Sequence, residues 1–211
     1  MGCKSRAGET GQKFSVGDAV NAQWLFDRRV SSWKRSAIRQ KLIHRDRNHL
    51  RCLWRWQTTV GKLFAHEVGW RFIEADDFHP AANVAKMRSG RRLTDEDRWP
   101  WLGSLRQEIK RSIDVGESAV LACSALKRAY RDRLRASEDV KFVFLRGDYA
   151  LVEEQLRSRR DHFMNPDLLQ SQFEDLQQPE SHEDVLIVQL GGTPEEIVGE
   201  IKAKLHLASG H

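Results

Sequence analysis

Cysteine pairs and long apolar runs are both missing from this sequence, and no leader segment is expected. Three cysteines, Cys3, Cys52 and Cys123, are scattered through 211 residues, and no CxxC occurs. That odd, dispersed set argues against a disulfide framework or a zinc site and fits a reducing compartment. No apolar stretch approaches the ~20 residues that span a bilayer. The opening MGCKSR carries Arg6 where a myristoylation signal has Ser or Thr, and no apolar segment follows it as in a secretory signal. A cytoplasmic protein without a membrane partner is expected.

What is present suits one soluble α/β domain: 40% hydrophobic and 31% charged residues in a chain long enough for a single core. The charge is uneven. Residues 1–58 hold 13 Lys+Arg against 4 Asp+Glu, whereas residues 59–211 hold 22 against 26. The high isoelectric point therefore belongs to the N-terminal segment, and a compositional boundary falls near Thr58.

Residues 1–57 read as a basic extension, poorly ordered or partly helical. AGETGQKFSVGD is Gly-rich and polar. Val30, Trp33, Ala37, Ile38 and Leu42 follow helical spacing within a basic stretch, and four of the seven tryptophans lie in this segment. Basic residues interleaved with aromatics can engage a polyanion or an acidic partner. No nucleic-acid-binding signature accompanies them, so nucleic acid is not the expected partner, and a plain solvated extension is the simpler reading.

From Thr58 the pattern sharpens. TTVGKLFAHEVG sets Val60, Leu63, Phe64 and Val68 on one helical face, with Gly69 to close the helix. Strands are expected at 70–75, 118–123, 141–146 and 185–190, with helices between them. One of these opens at Thr94 as N-cap and carries the stripe Trp101, Leu102, Leu105, Ile109 and Ile113. Another starts near Pro194. Alternating strands and helices imply a parallel sheet covered on both faces, with ligands beyond the carboxyl ends of the strands.

Three groups fall at those ends. FIEADDFHP places three carboxylates and an imidazole in six residues, Glu74 to His79. Such a set can hold a hard cation through water and accept a proton from a substrate hydroxyl. If the strand persists, Glu74 and Asp76 point the same way. Ser124 ends the next strand, with Lys127, Arg128 and Arg131 following as donors for a carboxylate or phosphate. LRSRRDHF clusters arginines before an amphipathic stretch, as a closing flap over phosphates would. Taken singly, the first two are more simply an acidic capping turn and a solvated basic helix face, and the third could be an exposed arginine cluster. Their order along the chain gives them joint weight.

In that order, TTVGKLFAHEVGWRFIEADDFHP, KMRSGRRLTDEDRWPWL, CSALKRAYRD, FVFLRGD and HFMNPDLLQSQFEDLQQP resemble the gluconate kinase (gluconokinase) family of small P-loop kinases. The resemblance runs from Thr58 to the C-terminus, which marks 58–211 as the catalytic domain. It implies a P-loop kinase-like parallel sheet with helices on both faces and a lid segment. It also implies transfer of phosphate from ATP to the 6-hydroxyl of D-gluconate, with Mg²⁺. By the same resemblance, Asp76 orients or deprotonates that hydroxyl, and Arg159 is the lid arginine on the phosphates. His79, Arg98, Ser124, Lys127 and Arg131 are substrate-side residues. Thr58 and Glu74 lie near the metal, with Thr58 and Thr59 on the nucleotide side. Phe144, Leu145 and Gly147 are scaffold. Glu74 stands where the family usually has Asp, and Asp161 where it often has Gly before HF. A homodimer is the assembly the family suggests.

One part of the family text is absent. Its nucleotide loop, G-x-x-x-x-G-K-[ST], laid on this chain falls on Arg51, Trp56, Gln57 and Thr58, and only the hydroxyl remains. The glycines let backbone N–H groups wrap the phosphates and the lysine neutralises their oxygens. Trp56 does not readily adopt a glycine backbone, and Gln57 carries no charge. HLRCLWRW is also a poor central strand, so the first central strand is expected to be missing or distorted. Upstream, GETGQKFS has Gly8, Gly11, Lys13 and Ser15 at the wrong spacing, with no strand before it. Three functions therefore compete: a gluconate kinase, a catalytically impaired relative that binds the sugar acid but does not use ATP productively, and a binding module built on the basic N-terminal segment.

Overall fold

The computed structural model describes residues 22–26, 54–147 and 174–207. Five strands form one sheet: β1 (Ala22–Phe26), β2 (Arg71–Glu74), β3 (Ala119–Ala122), β4 (Val140–Arg146) and β5 (Val185–Gln189), in the order β2-β3-β1-β4-β5. The described helices are α1 (Trp54–Val68), α2 (Ala81–Arg88), α3 (Asp95–Asp114), α4 (Arg128–Leu134) and α5 (Pro194–Lys204). All four expected strands are present within a residue or two of their expected bounds. β2 pairs parallel with β3, and β4 with β5.

The central position is the surprise. It is filled by β1, from the segment read above as an extension, and β1 runs antiparallel to both neighbours. Trp24 lies between Leu121 and Phe142 in the register. Four strands thus share one direction and the middle one opposes them. The basic stretch expected to be helical, 30–42, lies outside the described residues. HLRCLWRW supplies no strand where it is described: Trp54 to Trp56 already belong to α1.

Strand alternation sends side chains to two cores. On β4, Phe142 and Phe144 face one side, where Trp101, Leu102, Leu105 and Ile109 of α3 and Tyr130 and Leu134 of α4 cover them. Val143 and Leu145 face the other side, against Val60, Phe64 and Ala65 of α1 and Ile197, Val198 and Ile201 of α5. Helices therefore cover both faces, as the alternating pattern requires. Ile113 packs at the edge of the first core. Gly147 follows β4 where an added Cβ would lie 3.0 Å from the Leu190 side chain.

Helix ends follow their local signals. Gly69 closes α1 at φ +70°, with Trp70 N–H donating to the Ala65 carbonyl at 2.8 Å. Thr94 and Thr193 each form a complete capping box, with Asp97 and Glu196 respectively, and Pro194 sits in the first turn of α5.

Candidate active site

β2 delivers the acidic turn. The strand stops at Glu74, and Ala75–Phe78 coil into a 3₁₀ turn. The strand alternation that would align Glu74 with Asp76 therefore does not hold, because a 3₁₀ turn advances about three residues per turn. Glu74 instead faces α1, where the Thr58 hydroxyl donates to Glu74 Oε2 at 2.9 Å. A hydroxyl and a carboxylate are brought together between the start of α1 and the end of β2. Asp76 is half-buried in the turn that follows, and Thr59 is exposed on α1. Trp101 clamps this turn from α3, its indole N–H donating to the Ala75 carbonyl at 2.8 Å.

His79 leaves the turn and lies flat on Trp101, with ring centroids 4.3 Å apart and planes 13° from parallel. Burial, aided by the Arg98 charge, lowers its pKa to about 4. The imidazole is neutral at physiological pH. Asn83 of α2 is buried against it, its amide nitrogen 3.5 Å from His79 Nδ1 and 2.7 Å from the Asp97 carbonyl.

A denser group joins α3 to α4. Arg98 donates to the Tyr130 hydroxyl at 3.1 Å and to Asp175 at 3.3 Å. Tyr130 in turn donates to Asp95, and Lys127 reaches the same carboxylate at 2.7 Å. The Lys127 hydrogen bond, then that of Tyr130, holds the Asp95 carboxyl below its ordinary range, and Asp95 raises Lys127 reciprocally. Burial followed by the Asp95 hydrogen bond pushes the Tyr130 phenol up. Two cations, two carboxylates and a phenol form a relay whose formal charges cancel. Tyr130, Asp95, Asn83 and Asp175 escaped the sequence reading. The DEDRWPWL block contains Asp95, but its acids were legible only as capping residues.

Ser124 stands just beyond β3, next to Cys123, whose carbonyl accepts from the Gln57 side chain at 3.3 Å. Gln57 is buried, and the residues at the loop's second glycine and lysine positions, Trp56 and Gln57, are both α-helical.

Arg131 makes a separate set of contacts. Its guanidinium is fully buried, paired through two nitrogens with Glu183 at 2.7 Å each, and it also donates to the Gln177 carbonyl at 2.8 Å. Burial raises the Glu183 carboxyl, but the Arg131 bonds outweigh it and leave the group below its ordinary range. Arg131 ties residues 177–183 to α4, and its donors are spent there. The substrate-side expectation for Arg131 did not foresee this buried pairing, because a basic residue on a helix does not reveal which acid lies behind it. Arg159 and Asp161 lie outside the described residues.

No family model matches the chain. Its sequence is 41% identical over 167 residues to the "Probable gluconokinase" of Rattus norvegicus, covering 70% of this chain and 90% of that protein. It is 37% identical to the thermoresistant gluconokinase of Escherichia coli, covering 67% and 82%. A solved gluconokinase from Sinorhizobium meliloti superposes with a TM-score of 0.65 at 39% identity, over 72% of this chain and 86% of that one. The chain belongs to the gluconokinase family. Its sheet, with helices on both faces, is that of an α/β P-loop kinase in which the central strand position is held by a reversed segment. Among the described residues of this family member, no helix is long and apolar enough to cross a membrane.

Proposed function

We propose that this chain binds D-gluconate in the cleft bounded by Asp76, His79, Arg98, Ser124 and Lys127, and that its use of ATP is impaired. The family reaction is ATP-dependent phosphorylation of gluconate to 6-phosphogluconate, in which Asp76 would take or orient the 6-hydroxyl proton. The carrying observation is the set of polar groups around His79: a neutral imidazole stacked on Trp101, beside the Arg98–Tyr130–Asp95–Lys127 relay. A flat ring with hydrogen-bonding edges and a nearby pair of cations suits a polyhydroxylated carboxylate. Because Asp95 and Asp175 already neutralise those cations, the ligand carboxylate would enter by exchanging with them.

The metal side fits its group. Thr58 and Glu74 supply hard oxygen donors at adjoining element ends, and Mg²⁺ normally completes its shell with water and phosphate oxygens. When bound, Mg²⁺ would supply charge neutralisation of phosphate oxygens there. The phosphate cradle does not fit. A P-loop needs glycine backbone ahead of its helix and a lysine in the first turn, whereas here α1 already runs through Trp56, and Gln57 is uncharged with its amide donating to the Cys123 carbonyl. Accordingly no phosphoryl-transfer step is assigned to this chain.

Thermal unfolding in the presence of each ligand tests this reading. Gluconate is expected to raise the melting temperature, and Mg²⁺–ATP to leave it unchanged. Gluconate-dependent ADP release above a gluconate-free blank would instead establish the family reaction in this chain, and a clear ATP shift would show that nucleotide still binds. The kinase reading keeps one specific support, the Thr58–Glu74 pair, which preserves the hydroxyl and acid of the metal side.

A further inference from the structure

Asn83 sits at a junction that the site's chemistry has not yet used. It is buried on α2, and a single nitrogen, Nδ2, reaches two atoms: the Asp97 carbonyl oxygen at 2.7 Å and His79 Nδ1 at 3.5 Å. A backbone carbonyl can only accept, so it fixes which way the Asn83 amide points. The amide nitrogen has two hydrogens and no lone pair to offer. Whatever faces it from the histidine must therefore accept. Asp97 is itself held by the Thr94 capping box and by Lys86 at 2.6 Å, so its carbonyl is part of a fixed first turn. The imidazole is fixed from another side by its stack on Trp101, which is anchored to the Ala75 carbonyl.

We infer that Asn83 is a positioning residue that holds His79 as the neutral tautomer with its proton on Nε2. Nδ1 is then the ring's acceptor and is taken up by Asn83, while Nε2–H is a donor on the ring edge beyond it. Arg98 is the charged group that bears most on this ring, and its charge acts with burial against a second proton. The consequence rests on the sugar-acid reading: His79 offers a hydrogen bond to a hydroxyl or carboxylate oxygen of the ligand and cannot take a proton from it. In the family reaction this leaves proton acceptance at the 6-hydroxyl to a carboxylate such as Asp76. It removes the imidazole as a candidate base on geometric grounds, although either an imidazole or a carboxylate can serve as a base in general.

Nitrogen NMR of the histidine side chains in the full chain tests the assignment, with the His79 signals identified by their loss in His79→Gln. The expected result at neutral pH is a pyridine-like Nδ1 and a pyrrole-like Nε2. A protonated Nδ1 in the unaltered protein overturns the inference, whatever any variant does. Asn83→Asp replaces the donor with an acceptor, so the proton should move to Nδ1 and the His79 titration midpoint should rise by roughly one unit or more. An unchanged tautomer in folded Asn83→Asp overturns the positioning role; should that variant not fold, Asn83→Ser is expected to leave a mixed tautomer pattern. In either variant gluconate should bind about tenfold more weakly, the order of one charge-assisted hydrogen bond. The two readings fail separately. The expected tautomer with no response of the His79 signals to gluconate refutes the sugar-acid reading and upholds the positioning one.

Discussion

The two ends of the candidate site are built to different standards. At the acceptor end, between the β2 turn, α3 and α4, each cation of the Arg98–Lys127 pair meets a carboxylate, and the His79 ring is stacked and hydrogen-bonded. At the nucleotide end, α1 begins at Trp54, before the position where a phosphate loop would finish, and the Gln57 amide is tied to the end of β3. The acceptor end is an assembled polar site. At the nucleotide end, helical backbone and the Gln57–Cys123 bond stand where the family has its phosphate loop. On the proposed reading, a member of the family keeps its fold and the acceptor side of its site without that loop, because packing and chemistry rest on different residues.

Rebuilding the loop is the strongest way to break this contrast. Arg51→Gly, Trp56→Gly and Gln57→Lys together restore the glycines and the lysine. Gluconate-dependent ADP release is expected to rise by about a thousandfold, roughly 4 kcal/mol of transition-state stabilisation. If coupled-assay rates do not move, closure of the nucleotide end is not what limits this chain. The next largest effect lies behind the acceptor end. Arg131→Met strands the Glu183 carboxylate in a buried site and should cost about 3 kcal/mol or more in urea unfolding. Arg131→Met with Glu183→Leu should recover most of that loss, since an apolar pair of similar volume suits the same space.

Acid distinguishes the two ends more gently. The folded pKa of His79 is lowered to about 4 from 6.5. The native state binds fewer protons than the unfolded one across that interval, so stability falls as pH drops through it. The full contribution is present above pH 6.5 and is gone near pH 4. It amounts to at most about 3 kcal/mol. Chemical unfolding across this range should show the slope in the parent chain, and His79→Gln should remove that share of it. A parent slope no steeper than that of His79→Gln would mean the imidazole is more hydrated than its stacking on Trp101 implies.

Most of the frame was legible in residues 58–211 because its signals are local. Val60, Phe64 and Gly69 declare α1, Thr94 with Asp97 declares the start of α3, and the apolar run at 118–123 declares β3. The central strand was not legible. A defect at the centre of the sheet was expected from HLRCLWRW, but Ala22–Phe26 is a short segment far from its partners Val143 and Leu121, and nothing local marks it as the strand that fills that place. The site shows the same divide. The pairing of Thr58 with Glu74 follows from helix and strand ends meeting, which element order can anticipate. The burial of Arg131 and the relay through Tyr130 depend on which helix faces touch, and one-dimensional spacing does not carry that information.

The smallest prediction compares two identical devices. Thr94 and Thr193 each cap a helix with the same reciprocal box, and each is expected to cost about 1 kcal/mol when changed to Ala. Their surroundings differ. The Thr193 box is at the start of α5, on the face opposite the cleft's α3–α4 wall. The Thr94 box includes Asp97, whose carboxylate binds Lys86 and whose carbonyl orients Asn83 against His79. Equal losses of stability should therefore come with unequal losses of ligand. Gluconate affinity, read by calorimetric titration, should fall several-fold in Thr94→Ala and stay level in Thr193→Ala. Equal affinities in the two variants would show that the first turn of α3 positions nothing at the site, and that His79 is held by its stack on Trp101 alone.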